Sequence, residues 1–513
     1  MIKEPKSVKA IPREIVNFFS HDGGHSLLVE GGAGTGKTTF ALQLLEELAD
    51  PDKSFYLSTR VSDDTLYNQF PWLRDKEMRG RVIDSSRMLL DALYKKEEKK
   101  EKASADDMKK VKSAKQFLES IKKDKEKKDE KNEIDRTQLN ILLDRYKLPE
   151  VERIYDRIES CLPDSAMLVL DSVEGLTHKY AINQEEFITA IQKDLVEHSN
   201  VDLLLVLERL GASHLEYIVD GVLSFSRMEL DGRRVREMHI AKLRATEIKQ
   251  PNYLLTLKTG RFTCFEPFHP VAKSAVWEPV KDSAYFFSTG IPDLDNLLGG
   301  GFRKGSYNII ETTDRVSNEE YLAIVRPMLL NFIAQERGIL GTLPGGDHPE
   351  NLRSDLTRFI NESQFDKLVR LVEHMGTQQS APYVIALGGK SREDIVRMYK
   401  DANIALRGPD EKKPIIDFNG LDTLEYIRGG DIAIKDLFSG VARVKITEDV
   451  GIGVLKPGLK MTQEIMNMAD THLRILDVNR CPCIYGIKPK TIIHAIITDK
   501  EKGYPNIRLV PIV

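Results

Sequence analysis

The chain is predicted to be an α/β protein built on parallel sheets. Short apolar runs of strand length alternate with amphipathic helical segments. A glycine-rich loop joins one early run directly to a helix. Past residue 285 the same alternation restarts, after a segment spaced by prolines, so the 513 residues read as two units of similar size.

The elements follow in order. Ser26-Leu27-Leu28-Val29-Glu30 reads as a strand buried on both faces. Gly31 to Gly36 is the loop, and Lys37 to Ala49 a helix with Phe40, Leu44, Leu45 and Leu48 on one face. Further strands fit Ser54–Ser58, Arg81–Asp84, Met167–Leu170 and Asp202–Leu207. Gly221–Phe225, Val235–Arg244 and Tyr253–Leu257 then follow without helices between them, and Asp231-Gly232 marks a turn. That pattern predicts an antiparallel extension of the sheet edge.

Lys95–Lys131 interrupts the pattern with a lysine- and glutamate-rich stretch that lacks arginine and proline. Met108, Val111, Ala114, Leu118 and Ile121 recur at steps of three and four, one narrow apolar stripe. A charged helical insertion at about residues 90–148 is expected, either a solvated hairpin or an arm that contacts a partner. Its interleaved acids weaken any attraction to phosphate. The expected organisation is a first domain at 1–266, a linker at 267–284 carrying Pro267, Pro270 and Pro279, and a second domain at 285–513.

The formal net charge of −4 gives no global field toward nucleic acid. No apolar run reaches the ~18 residues of a membrane span, and Met1–Arg13 is too polar for a signal peptide; a cytoplasmic protein is expected. Cys161, Cys264, Cys481 and Cys483 are too few for a disulfide scaffold. Cys481-Pro482-Cys483 reads either as half a metal site or as buried strand cysteines.

Gly31-Gly32-Ala33-Gly34-Thr35-Gly36-Lys37-Thr38 satisfies G-x-x-x-x-G-K-[ST] in its required context, after a strand and before a helix. The glycines let amide N–H groups face a phosphate, and the helix N-terminus adds partial positive charge. Lys37 is expected to bridge the β- and γ-phosphates of a nucleoside triphosphate, ATP above all. Thr38 is expected to ligate Mg²⁺, and Thr39 to touch a phosphate. The apolar strand Met167-Leu168-Val169-Leu170 ends in Asp171, the candidate second acid for the magnesium.

With Asp171-Ser172 and Lys242-Leu243-Arg244-Ala245, the chain resembles the RecA-like ATPases of the KaiC and archaeal RadA-paralogue group. The resemblance implies two RecA-like domains. It also implies that Lys242 and Arg244 act in trans on the γ-phosphate of a neighbouring subunit in a homo-oligomer, with a hexamer as the family pattern. Read as chemistry alone, the two are a basic pair on one strand face, equally suited to surface salt bridges.

In the second half, Thr289-Gly290-Ile291-Pro292-Asp293-Leu294-Asp295 and Leu298-Gly299-Gly300-Gly301-Phe302 resemble the KaiC motif that precedes a phosphate loop. Glu311-Thr312-Thr313-Asp314-Arg315-Val316-Ser317 stands where that loop is expected. It has no glycine and no lysine, and two carboxylates face the phosphate position. A pseudo-ATPase domain is expected, with Pro414-Ile415-Ile416-Asp417 as a remnant of the magnesium-binding strand.

The arrangement of an N-terminal P-loop, a lysine-rich insertion and a degenerate second domain resembles the archaeal D-type gas-vesicle regulatory protein family. That likeness implies a repressor that binds a transcriptional regulator. Arg233-Arg234-Val235-Arg236 resembles the arginine-rich patches of such regulators, and reads otherwise as an exposed hairpin tip. One departure concerns catalysis. KaiC-like ATPases carry adjacent glutamates after the second strand, where this chain has Thr59-Arg60. Asp63, Asp64 and Glu174 are the candidate substitutes, and slow hydrolysis is expected. The alternative function is a DNA-associated ATPase of recombination or repair.

Overall fold

The computed structural model describes residues 10–75, 78, 81–84, 148–162, 164–209, 211, 214–269, 275–408, 412–499, 504 and 506–513. The Lys/Glu-rich stretch with its Met108–Ile121 stripe lies outside the described residues. The chain divides into two compact units. One holds the residues up to Met228, Arg236–Cys264 and Val513; the other holds Glu229–Val235 and Phe265–Ile512.

The first unit is organised on a nine-stranded sheet. Its strands are β1 (Ser26–Gly31), β2 (Ser54–Ser58), β3 (Val82–Asp84), β4 (Met167–Asp171), β5 (Asp202–Val206), β6 (Gly221–Leu230), β7 (Arg233–Leu243), β8 (Asn252–Thr256) and β9 (Thr263–Cys264). Their order is β3-β2-β4-β5-β1-β6-β7-β8-β9. From β3 to β6 every neighbour is parallel. The β7–β8 and β8–β9 pairs are antiparallel, as the helix-free run predicts.

Why these segments form a central sheet is visible in their alternation. Leu28, Leu57, Leu168, Leu170, Leu203 and Leu205 pack into one core. Leu27, Val29, Tyr56, Val169, Leu204 and Val206 pack into another. Successive residues point to opposite faces. A strand apolar at every position therefore needs cover on both sides, and helices supply it.

The second unit carries a two-stranded pair, β10 (Phe286–Phe287) and β11 (Phe302–Arg303), and a ten-stranded sheet. The larger sheet contains β12 (Ser306–Thr312), β13 (Ile339–Thr342), β14 (Val369–Glu373), β15 (Val384–Ala386), β16 (Ile416–Gly420), β17 (Val450–Leu455), β18 (Thr471–Val478), β19 (Cys481–Lys488), β20 (His494–Asp499) and β21 (Asn506–Pro511). Its order is β15-β14-β13-β16-β17-β12-β18-β19-β20-β21. Without the edge strand β15, this repeats the first sheet strand for strand, with β12 in the place of β1 and β16 in the place of β4. The change from parallel to antiparallel pairing also recurs, after β18.

The segment expected as a linker, 267–284, is part of the second unit's packing where it is described. Trp277 is buried, its ring 4.9 Å from that of Tyr504. The Asn331 side chain accepts from the Val280 N–H at 2.8 Å and donates to its carbonyl at 3.1 Å. An indole and a satisfied buried amide give this stretch a fixed place that its prolines do not advertise. Cys481 and Cys483 are buried in β19, each Sγ against a backbone carbonyl. Among the described residues, no helix is long and apolar enough to cross a membrane.

Candidate functional site: the phosphate loop and the acid beside it

β1 ends in a loop that turns into the helix Lys37–Leu48. Two glycines make the turn. Gly31 has φ +154°, and a Cβ there would lie 2.5 Å from the Phe225 carbonyl oxygen. Gly36 caps the helix at φ +113°, and a Cβ there would press on Leu257 at 3.1 Å. Both positions disfavour a side chain by conformation, and at Gly31 the backbone contact excludes one by space as well. No side chain caps the helix, so its first N–H groups remain available to an anion. Within the loop, the Thr35 hydroxyl donates to the Gly32 carbonyl at 2.9 Å; Ala33 and Gly34 are exposed.

Lys37 is buried, with Nζ donating to the carbonyls of Gly31 at 2.7 Å and Gly32 at 2.9 Å. Burial lowers its pKa, and the nearby carboxylates of Glu208, Asp171 and Glu174 oppose that shift. Thr39 is also buried. Thr38 points across to the end of β4, where its hydroxyl donates to Asp171 Oδ2 at 2.6 Å. A second donor, the Tyr56 hydroxyl, meets the same oxygen at 2.5 Å. Burial nevertheless holds the Asp171 carboxyl above the usual range, since the hydrogen bonds from Thr38 and Tyr56 offset only part of that cost. A hydroxyl and a buried carboxylate at this spacing are hard oxygen donors suited to magnesium. The donor set thus fits a magnesium–triphosphate group.

Residues 15–241 match the family described as GvpD gas vesicle protein, P-loop domain. Residues 276–382 match GvpD basic region 2. Two relatives from Halobacterium salinarum align along nearly the whole chain. Protein GvpD2 is 25% identical, covering 99% of this chain and 97% of its own length. Protein GvpD1 is 24% identical, covering 98% and 96%. The chain belongs to the GvpD family.

Lys242 and Arg244 fall just past the GvpD P-loop match, at the sheet end opposite the loop. Lys242 Nζ donates to the carbonyls of Glu216 at 2.9 Å and Val219 at 2.6 Å. Arg244 pairs with Asp220 at 2.6 Å. Asp220 also accepts from Ser26 at the start of β1. The structure therefore separates these two residues from the phosphate loop of their own chain.

The arginine cluster is not the exposed patch that its composition suggests. Arg236 is buried in β7. Arg233, grouped with the second unit, donates to the carbonyls of Thr491 and Gly486 at 2.7 and 2.9 Å, and stacks on Tyr485 at 4.0 Å. Arg234 alone of the three is exposed. Along the GvpD basic region 2 match, acidic residues outnumber Lys and Arg. Arg326, Arg337 and Arg353 there are ion-paired with Asp355, Asp282 and Asp366.

The same match contains Glu311–Ser317, the segment that the sequence places where a second phosphate loop is expected. Glu311 does not face an open phosphate position. It accepts from His472 at 2.7 Å and Arg474 at 2.9 Å. Burial alone would raise its pKa, but these partners outweigh burial and lower it. The following helix, Asn318–Ala334, is closed by a capping box between Ser317 and Glu320. The Glu320 carboxylate accepts from the Ser317 N–H and the Ser317 hydroxyl accepts from the Glu320 N–H, so side chains of the chain itself already partner N–H groups at this helix start. Asp417 is a correction to the sequence reading. In β16 it is level with Leu340 and Gly451 and pairs with Arg443. Asn419, two residues on, stands nearer the strand end, so the acid is one pleat short of the place Asp171 takes in β4.

Two residues of the first site are not evident from sequence motifs. Tyr56 looks like one more apolar strand residue, yet its hydroxyl reaches Asp171. Glu208 follows β5 and pairs with Arg60. Of the expected substitute acids, Asp63 and Asp64 begin the helix Asp63–Gln69. Glu174 is buried, with Oε1 accepting from the Glu208 N–H at 2.7 Å.

Proposed function

We propose that this GvpD-family chain binds ATP with Mg²⁺ at Gly31–Thr39 and uses the nucleotide as a regulatory switch. The observation that carries the reading is the 2.6 Å contact between Thr38 and Asp171 beside the buried Lys37. Lys37 and the loop N–H groups would hold the phosphates; Thr38 and Asp171 would hold the metal, which supplies charge neutralisation when bound. Tyr56 orients Asp171.

The two units are read as RecA-like domains, the second a pseudo-ATPase. Its repeated strand order supports common architecture, and its capped helix and neutralised Glu311 support loss of nucleotide binding. Turnover well below ~1 s⁻¹, the low end for enzymes, is expected, because Thr59-Arg60 rather than a pair of glutamates stands directly after β2. The expected action is on a protein partner in transcription, in keeping with the gas-vesicle relatives. A DNA-associated ATPase is the weaker reading, since the arginines it would use are largely paired or buried.

The test records ATP binding, turnover and molecular mass of the purified chain with and without Mg-ATP. Tight binding with slow turnover and a nucleotide-dependent mass supports the switch. Fast turnover stimulated by DNA, weakening steeply with salt, would replace it with the second reading.

The proposed homo-oligomer gives Lys242 and Arg244 a role toward a neighbour's nucleotide. Arg244→Ala is expected to leave ATP affinity of the dissociated subunit within about twofold while shifting the mass distribution or slowing turnover. Unchanged mass and rate would remove the trans assignment and leave the salt bridge to the buried Asp220 as its function.

A further inference from the structure

The end of β4 is bridged by a charge pair. Ser58, Asp171 and Val206 share one rung of the sheet on β2, β4 and β5. Arg60 stands two residues beyond that rung on one side, and Glu208 two residues beyond it on the other. Strands two apart lie roughly 10 Å from each other, so neither residue could meet the other through its backbone. Their side chains close the gap in an ion pair between the guanidinium and Oε2 of Glu208.

Both ends of this bridge are anchored. Thr59 Oγ1 donates to the Ser172 carbonyl and accepts from the Ser172 N–H, each at 2.9 Å, which fixes the backbone beside Arg60. The Glu208 N–H donates to Glu174 Oε1 at 2.7 Å. Glu174 is itself buried, and its Oε2 has no hydrogen-bond partner among the described residues. The side chains remain half free, with Arg60 50% and Glu208 31% exposed. Arg60 and Glu208 are also both among the charges acting on Lys37. The bridge therefore lies on the phosphate side of the sheet edge, above Asp171.

We propose that Arg60 and Glu208 form a latch that distinguishes a nucleoside triphosphate from a diphosphate, with Arg60 exchanging the Glu208 carboxylate for the terminal phosphate. The proposal rests on the P-loop reading above. A guanidinium forms forked, charge-assisted bonds with either a carboxylate or a phosphate. A terminal phosphate carries more negative charge than one carboxylate, so the exchange favours the triphosphate. A diphosphate lacks the group beyond Lys37 and leaves the pair closed. The Thr59-Arg60 sequence, which leaves the chain without glutamates after β2, becomes the sensing element.

The test is equilibrium binding of fluorescent ADP and of a fluorescent non-hydrolysable ATP analogue, both with Mg²⁺, to the full chain. Arg60→Ala is expected to weaken the triphosphate about tenfold to a hundredfold, as for a lost bond to a charged group, and to leave ADP affinity unchanged. Glu208→Gln removes the competing carboxylate and is expected to strengthen the triphosphate severalfold with ADP again unchanged. Equal effects of Arg60→Ala on both nucleotides, with Glu208→Gln altering neither, overturn the latch. If Arg60→Ala loses all binding, Glu208→Gln decides alone: a selective gain supports the latch and no change overturns it. Lys37→Ala separates the two readings. If it leaves both affinities intact, the P-loop reading fails and the latch with it. If it abolishes both while Arg60→Ala stays non-selective, only the latch fails.

Discussion

Lys37→Ala is expected to lower Mg-ATP affinity by a hundredfold or more, measured by titration calorimetry on the full chain. The size follows from charge. Lys37 Nζ lies in the fields of Asp171, Glu174 and Glu208. Its removal leaves those carboxylates, of which Glu208 is paired with Arg60, beside a loop proposed to hold phosphates, where like charges repel. A lost charge-assisted bond costs about 1.5–3 kcal/mol, and the exposed negative field adds to that. The carbonyls of Gly31 and Gly32 also lose their donor. The loop turn itself is made by Gly31 and Gly36, so the melting temperature should change little. A loss of affinity below tenfold, with the fold intact, would show that triphosphate is not held here.

Asp449→Ala is expected to cause the largest loss of stability in the second unit. Asp449 is almost fully buried and accepts from both guanidinium nitrogens of Arg407, with NH1 at 3.0 Å. It also accepts from the Ile415 N–H at 2.9 Å and from the Thr447 hydroxyl. One carboxylate thus joins the helix Arg392–Arg407, the approach to β16 and the turn before β17. Breaking such a pair strands a buried cation and costs about 3–5 kcal/mol. A unit of this size then unfolds roughly 10 °C lower. Calorimetric scans should show this shift in the second unit's transition, while ATP affinity of the first unit is unchanged. A shift under ~2 °C would mean that water or a neighbouring group satisfies Arg407.

Much of the first site is legible in the primary structure. The phosphate loop carries its own context: an apolar strand before it, a helix after it, and glycines where only glycine fits. Asp171 is legible for a similar reason, since an apolar strand that ends in an acid marks the carboxyl edge of a parallel sheet. Tyr56 and Glu208 are not legible. Tyr56 sits in an apolar run and differs from Phe55 by one hydroxyl, whose partner is 115 residues away. Glu208 acquires meaning only when β4 and β5 become neighbours. Asp417 misled because an acid after two isoleucines looks like a strand terminus, whereas β16 continues to Gly420.

Composition misled most at the arginines. Arg233-Arg234-Val235-Arg236 reads as a basic patch, but Arg236 is buried on the strand face that Met238 and Ile240 give to the core, and Arg233 is spent on carbonyls and an aromatic face. Charge in a sequence is a count; charge on a surface depends on which groups already have partners. The two sheets show the reverse. The two halves share little local sequence, and their loops after β1 and β12 are chemically opposite, yet the strand orders coincide.

The sequence by itself determined the parallel-sheet class, the phosphate loop and the acid beside it, because each depends on residues close together or on a period of two. Tertiary structure alone decided which charges face the phosphate edge, which arginines are neutralised and how the second loop is closed. Those outcomes depend on pairs distant in sequence, such as Arg60 with Glu208 and Glu311 with His472, and an ion pair exists only where the fold brings its two ends together.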